Sequence, residues 1–101
     1  VVCWLDPSGH PGCDGPDAAR LAMFARSGMA AQRFDSLVVG INMTCGVLAG
    51  GSPIYGGRLM CDRPIPEYTS GDPDFKTIAA GDGFVCGLLL KSVLLCLFMP
   101  G

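Results

Sequence analysis

Residues 37–48 read LVVGINMTCGVL, with apolar side chains at every second position. Leu37, Val39, Ile41, Met43, Cys45 and Val47 share one parity, while Gly40, Asn42, Thr44 and Gly46 fall on the other. Successive side chains of a strand point to opposite faces, so the pattern predicts one strand with an apolar inner face and a small, polar outer face. Cys45 is then expected on the core side and Asn42 on the outside. Asn42-Met43-Thr44 is an acceptor triplet for N-glycosylation, which needs an outward asparagine.

Upstream of that strand, Leu21, Phe24, Ala25, Gly28 and Met29 follow helical spacing and predict an amphipathic helix over residues 17–32. Pro16 and Asp17 suit its start. Gly28 weakens a helix interior by about 1 kcal/mol relative to Ala, and close approach to a sheet would account for it. Residues 1–5 form a β-prone run ended by the turn Asp6-Pro7-Ser8-Gly9. Downstream, residues 49–53 read as a turn and 54–62 as a partner strand bent at Gly56-Gly57. Residues 64–74 carry Pro64, Pro66 and Pro73 and read as loop, and 74–80 as one or two helical turns. Residues 84–98 are apolar on both parities, which favours two short buried strands bending at Lys91-Ser92 over one buried helix. No internal repeat emerges from this reading. The order strand, helix, strand, strand, short helix, strand predicts an α+β fold over residues 1–101 as a single domain. Its form would be a two-layer α/β sandwich, a mostly antiparallel sheet covered by one main helix and stapled by disulfides.

With 101 residues, 50% of them hydrophobic and 16% charged, the chain is no disordered linker. Arg20, Arg26, Arg33, Arg58, Arg63, Lys76 and Lys91 are scattered, and the net charge is −2, so a nucleic-acid partner is not expected. The six cysteines, Cys3, Cys13, Cys45, Cys61, Cys86 and Cys96, contain no CxxC pair. That spacing disfavours zinc and cytosolic redox chemistry and predicts three disulfides formed in an oxidising compartment, with the pairing left open. A chain that starts at Val1, without Met, reads as a processed, secreted form. The apolar run 84–99 is broken by Lys91 and falls short of the roughly twenty residues a spanning helix requires, so it reads as core.

No catalytic set stands out, and neither a metal site nor a cofactor is expected. His10 lies three residues before Cys13, but Cys13 is expected in a disulfide and a lone loop histidine is ordinarily solvated. Glu67 is the sole glutamate, and Asp62, Asp72, Asp74 and Asp82 fall in turns where aspartate bonds local backbone. No EF-hand loop and no GxSxG elbow occur. Trp4, beside Cys3, is expected in the core and Tyr68 on the surface.

A cysteine in an N-terminal strand, a second before the helix of GCDGPDAARLAMFARSGMAA (12–31), and a third in VVGINMTCGV (38–47) together resemble small secreted fungal proteins. The nearest class is the killer toxins of yeasts and smut fungi and the similar effectors of plant pathogens. The resemblance implies a disulfide-linked α/β sandwich that kills sensitive cells, in some cases by disturbing membranes or channels. The expected function is therefore a secreted, non-enzymatic toxin or effector acting on a target cell-surface protein or membrane. Its apolar strands would also suit homo- or hetero-oligomer formation. The alternatives are a small secreted hydrolase using His10 with an aspartate, and a structural or adhesive subunit of a secreted hetero-oligomer.

Overall fold

Each cysteine pair closes a β-hairpin. The computed structural model describes residues 1–41, 43–51, 56–63, 65–66, 68, 74–89 and 93–98. Strand β1 (Val2–Leu5) pairs with β2 (Pro11–Asp14), β4 (Thr44–Leu48) with β5 (Leu59–Cys61), and β7 (Phe84–Leu88) with β8 (Leu94–Phe98), all antiparallel. Cys3–Cys13, Cys45–Cys61 and Cys86–Cys96 lie directly opposite one another in these pairs, with Cα atoms 4.1, 4.0 and 4.0 Å apart. Such short separations mark positions where the paired residues exchange no backbone hydrogen bond. The hairpins close identically. The residue three places after the first cysteine donates its N–H to the carbonyl three places before the second: Asp6 to His10 (2.9 Å), Leu48 to Arg58 (2.8 Å) and Leu89 to Val93 (2.7 Å).

Two of the hairpins carry a third strand. Strand β3 (Phe34–Val39) pairs with β4, and β6 (Thr77–Ala80) with β7. The registers Leu37↔Gly46, Val38↔Cys45 and Val39↔Thr44 recur as Ile78↔Gly87, Ala79↔Cys86 and Ala80↔Val85, 41 residues later without a gap. Phe34, Gly40 and Cys45-Gly46 match Phe75, Gly81 and Cys86-Gly87 at the same offset, and Cys3 precedes Cys45 by 42 residues. The chain therefore has an internal repeat, which the reading by secondary-structure pattern did not find. It is hidden because intervening positions change type, as in Ile41 against Asp82.

The repeated residues have a shared physical role. A Cβ on Gly46 would lie 2.5 Å from Cδ1 of Phe34, and one on Gly87 would collide with the Phe75 ring, so each glycine makes room for its sheet's phenylalanine. Gly40 donates its N–H to Met43 (2.7 Å), and Gly81 to Phe84 (3.0 Å), closing the turn between third and central strands. Phe34 donates to the Gly9 carbonyl (2.8 Å) and Phe75 to that of Gly57 (2.9 Å), so each third strand begins tethered to the hairpin of the preceding sheet.

The sheets bury one another. Between the first and second, Phe24, Met29 and Phe34 form a cluster with Leu5, Leu37, Leu48 and Met60 around it. Between the second and third, Met43, Cys45, Val47 and Leu59 meet Phe75, Ile78, Val85 and Leu97. The second sheet thus supplies apolar side chains to both faces.

This arrangement overturns the expected two-layer α/β sandwich. The described residues form eight strands in three antiparallel sheets of two, three and three strands. The helix, α1 (Ala18–Ser27), has ten residues and buries only Phe24, through which it joins the cluster between the first two sheets instead of forming a second layer. Three local readings misled. The stretch 37–48 is two antiparallel strands joined at Gly40, where a Cβ would stand 2.6 Å from the Gly81 carbonyl oxygen. Residues 77–80 are strand where helical turns were expected. Gly28 ends α1 in the left-handed region (φ 83°), followed by a single 3₁₀ turn, Met29–Ala31; a Cβ there would meet nothing within 4 Å, so its role is a C-cap and not close packing. Residues 84–98 do contain two strands; the expected bend at Lys91-Ser92 lies outside the described residues.

Candidate functional site

The densest polar cluster gathers around the turn between β3 and β4. Asp17 caps α1, accepting from the Arg20 N–H at 3.1 Å, and so sets the first helical turn from which the Arg20 side chain projects. Its guanidinium donates to the carbonyls of Gly40 (3.0 Å), Ile41 (2.9 Å) and Met43 (2.8 Å) and to Thr44 Oγ1 (3.2 Å). A planar fork of five donors suits this cluster of outward carbonyls, which a lysine ammonium does not match. The Thr44 hydroxyl also lies 3.7 Å from Cys3 Sγ; that sulfur is disulfide-bonded, so Thr44 is the donor, and the first two sheets touch here.

Asp62 completes the cluster from β5's end. Its Oδ1 accepts the Thr44 N–H (3.0 Å), and its own N–H donates to the Thr44 carbonyl (2.9 Å). Thr44 is 1% and Asp62 6% exposed. Burial pushes the Asp62 carboxyl above the ordinary aspartate value of 3.8, against the opposing pull of the Thr44 N–H and the Arg20 and Arg63 charges. Among the described residues, Asp62 Oδ2 and Arg20 Nε lack hydrogen-bond partners. The cluster contains no nucleophile with an adjacent base, and its geometry is that of a staple fixing the β3–β4 turn.

A second cluster sits on the β1–β2 hairpin and combines the residue types of a hydrolase. Asp6 Oδ1 accepts from the Ser8 N–H (2.9 Å), the Ser8 hydroxyl (2.6 Å) and the His10 N–H (3.0 Å), while Ser8 Oγ lies 2.7 Å from His10 Nδ1. These bonds hold the Asp6 carboxyl below its ordinary value, the Ser8 hydroxyl contributing most. The order is wrong for nucleophile activation. A triad needs the aspartate on the histidine, so that the histidine takes the serine's proton; here the aspartate engages the serine itself. The arrangement matches an Asx turn that ties the hairpin.

A third group lies between β5 and β6. The Arg58 guanidinium stands 4.3 Å above the Tyr68 ring and 3.5 Å from Asp74 Oδ1. The Tyr68 hydroxyl accepts the Leu59 N–H (3.3 Å), and its ring packs 5.7 Å from Phe75. Tyr68 is thus anchored by core and backbone at one edge and presents a half-exposed arginine–aromatic pair at the other.

The six cysteines expected to crosslink do so in three pairs, and none is free. Such closed crosslinks belong to chains that fold in an oxidising compartment. Trp4 is 49% exposed and not in the core. Asn42, Glu67 and Asp72 lie outside the described residues. No group of three or more metal-ligating side chains occurs among the described residues, and no helix there is long and apolar enough to cross a membrane. Sequence reasoning missed Arg20 and Asp62. A helical arginine read as one of seven scattered cations and Asp62 as a turn aspartate bonding local backbone, and nothing in the sequence ties either of them to Gly40.

No protein-family model and no curated protein matches the chain. Among solved structures, it is similar to the entire ectodomain of the Physcomitrella patens receptor kinase CR4, at 24% identity and a TM-score of 0.68, over 95% of this chain. It is also similar to the CRINKLY WD40 ectodomain of the Arabidopsis thaliana receptor kinase ACR4, at 17% identity and a TM-score of 0.43, over 98% of this chain and 48% of that one. The chain spans 26% of the moss ectodomain's length, so the likeness is one of fold over part of that ectodomain.

Proposed function

We propose that the chain is a non-catalytic extracellular binding module of the receptor-ectodomain kind, in which stacked, disulfide-closed sheets form a rigid frame for surface recognition. The observation that carries the reading is the fold likeness to the moss CR4 ectodomain along nearly the whole chain. The three crosslinked hairpins support it, since they make the frame durable outside the cytosol. Recognition is assigned to Arg58 and Tyr68, because arginine and tyrosine held by a packed core are favoured contact residues.

The test is binding of labelled, disulfide-intact chain to intact cells of the organism that makes it. Saturable binding, competed by unlabelled chain and weakened by Arg58→Ala or Tyr68→Ala with the fold retained, is the expected result. Binding that never saturates, with dye leakage from protein-free liposomes, would overturn it in favour of the membrane-active toxin.

A further inference from the structure

The two sheet-to-sheet interfaces follow one rule. In each, the incoming sheet offers the face carrying the residue before its first cysteine and the glycine after it: Thr44 and Gly46 against the first sheet, Val85 and Gly87 against the second. The receiving sheet offers the opposite face, which carries the disulfide. In the second sheet that receiving face is Met43, Cys45, Val47 and Leu59, exposed by 0, 0, 2 and 6%.

The third sheet has the same face, and among the described residues it stays open at one edge. By register it consists of Phe84, Cys86, Leu88, Leu94, Cys96 and Phe98. Leu94 is the equivalent of Leu59 yet is 66% exposed, and Phe98 is 62% exposed. Phe84 and Phe98 lie side by side on this face, ring centroids 6.1 Å apart. A sheet that ends a stack ordinarily carries a polar outer face, because neighbours bury only the inner ones. This sheet carries the apolar side chains of an interior member.

We infer that the disulfide face of the third sheet is a docking surface for a further sheet of the same repeat, one with phenylalanine, glycine six residues on and Cys-Gly five residues after that. The interfaces already built with this repeat specify the occupant. It lays the β-branched residue before its cysteine, and its central glycine, against Phe84, Leu88, Leu94 and Phe98. The inference rests on the repeat geometry and is independent of the recognition role assigned to Arg58 and Tyr68.

The experiment joins a second copy of residues 62–101 after Gly101 and measures oxidative footprinting of Leu94 and Phe98 in the original sheet. The expected result is a closed fourth disulfide, a higher urea midpoint and a several-fold drop in labelling at both residues. Leu94→Lys with Phe98→Lys in the original sheet should abolish the stabilisation, while Ile41→Lys, at an exposed position off this face, should not. Unchanged labelling, whether or not the added disulfide closes, overturns the inference. So does concentration-dependent protection of Phe98 in the unextended chain with dimer mass by light scattering, because the occupant is then a second copy of the whole chain.

Discussion

Gly46 shows how one missing methyl group sets a sheet's thickness. The Phe34 ring occupies the space a Cβ would need, and the residue is buried in the central sheet, where neighbours on both sides resist a shift. Gly46→Ala is expected to destabilise by about 1–3 kcal/mol through overpacking, measured as a lower urea midpoint. Adding Phe34→Leu should recover part of the loss, and no recovery would place the strain elsewhere. Asp62 poses the opposite problem, a carboxyl that folding removes from water. Its folded pKa is raised above the ordinary 3.8, so the native state binds more protons than the unfolded one, and stability falls as pH rises through that window. Asp62→Asn keeps an acceptor for the Thr44 N–H and removes the charge. It is expected to raise the thermal midpoint at pH 7, with the gain fading below the ordinary aspartate pKa. A gain that persists at low pH would contradict the charge explanation.

At the scale of elements, the hairpins carry most of the local order and the helix little. Each disulfide closes a short loop, with sequence separations of 10, 16 and 10 residues. Loop-closure entropy puts the removal of any one pair by double serine substitution at about 2–3 kcal/mol, with Cys45–Cys61 the largest by a few tenths. Denaturant unfolding of the three double variants checks the order. Losses far above that for Cys45–Cys61 would mean that the packing of the buried Cys45 outweighs loop closure. Helix α1 acts chiefly through Arg20, and Arg20→Lys is expected to speed amide exchange at Gly40 while leaving the β7–β8 amides unchanged. These elements were unequally legible. The strands within 84–98 could be read because Lys91-Ser92 interrupts an otherwise apolar run. The hairpin inside 37–48 could not, because alternation continues straight through the turn. Leu37 and Cys45 share parity, yet Leu37 packs toward the first sheet and Cys45 toward the third. The Arg20–Asp62 cluster was illegible for a related reason, since its acceptors lie twenty or more residues from the arginine and only the fold assembles them.

For the whole molecule, sheets that stack in sequence predict an uneven stability. The second sheet has a neighbour on each face, whereas the first and third each have one. The first has two strands, and on its face away from the second sheet Val2 is 69% and Trp4 49% exposed. In such arrays stability is close to a sum of unit and nearest-neighbour terms, so the ends open before the middle. Native-state hydrogen exchange should therefore rank Cys45 and Val47 slowest, the β7–β8 amides next, and the β1–β2 amides fastest. Trp4, the sole tryptophan, should report an earlier denaturant transition than far-ultraviolet dichroism does, because it sits in the least supported sheet. Full reduction removes all three loop constraints and is expected to turn this graded unfolding into loss of the native state. Coincident transitions with uniform exchange would mean that the sheets unfold as one unit and that the interfaces between them outweigh the hairpins. Retention of the dichroism spectrum after reduction would mean that the face-to-face clusters around Met29 and Phe75 suffice without the crosslinks.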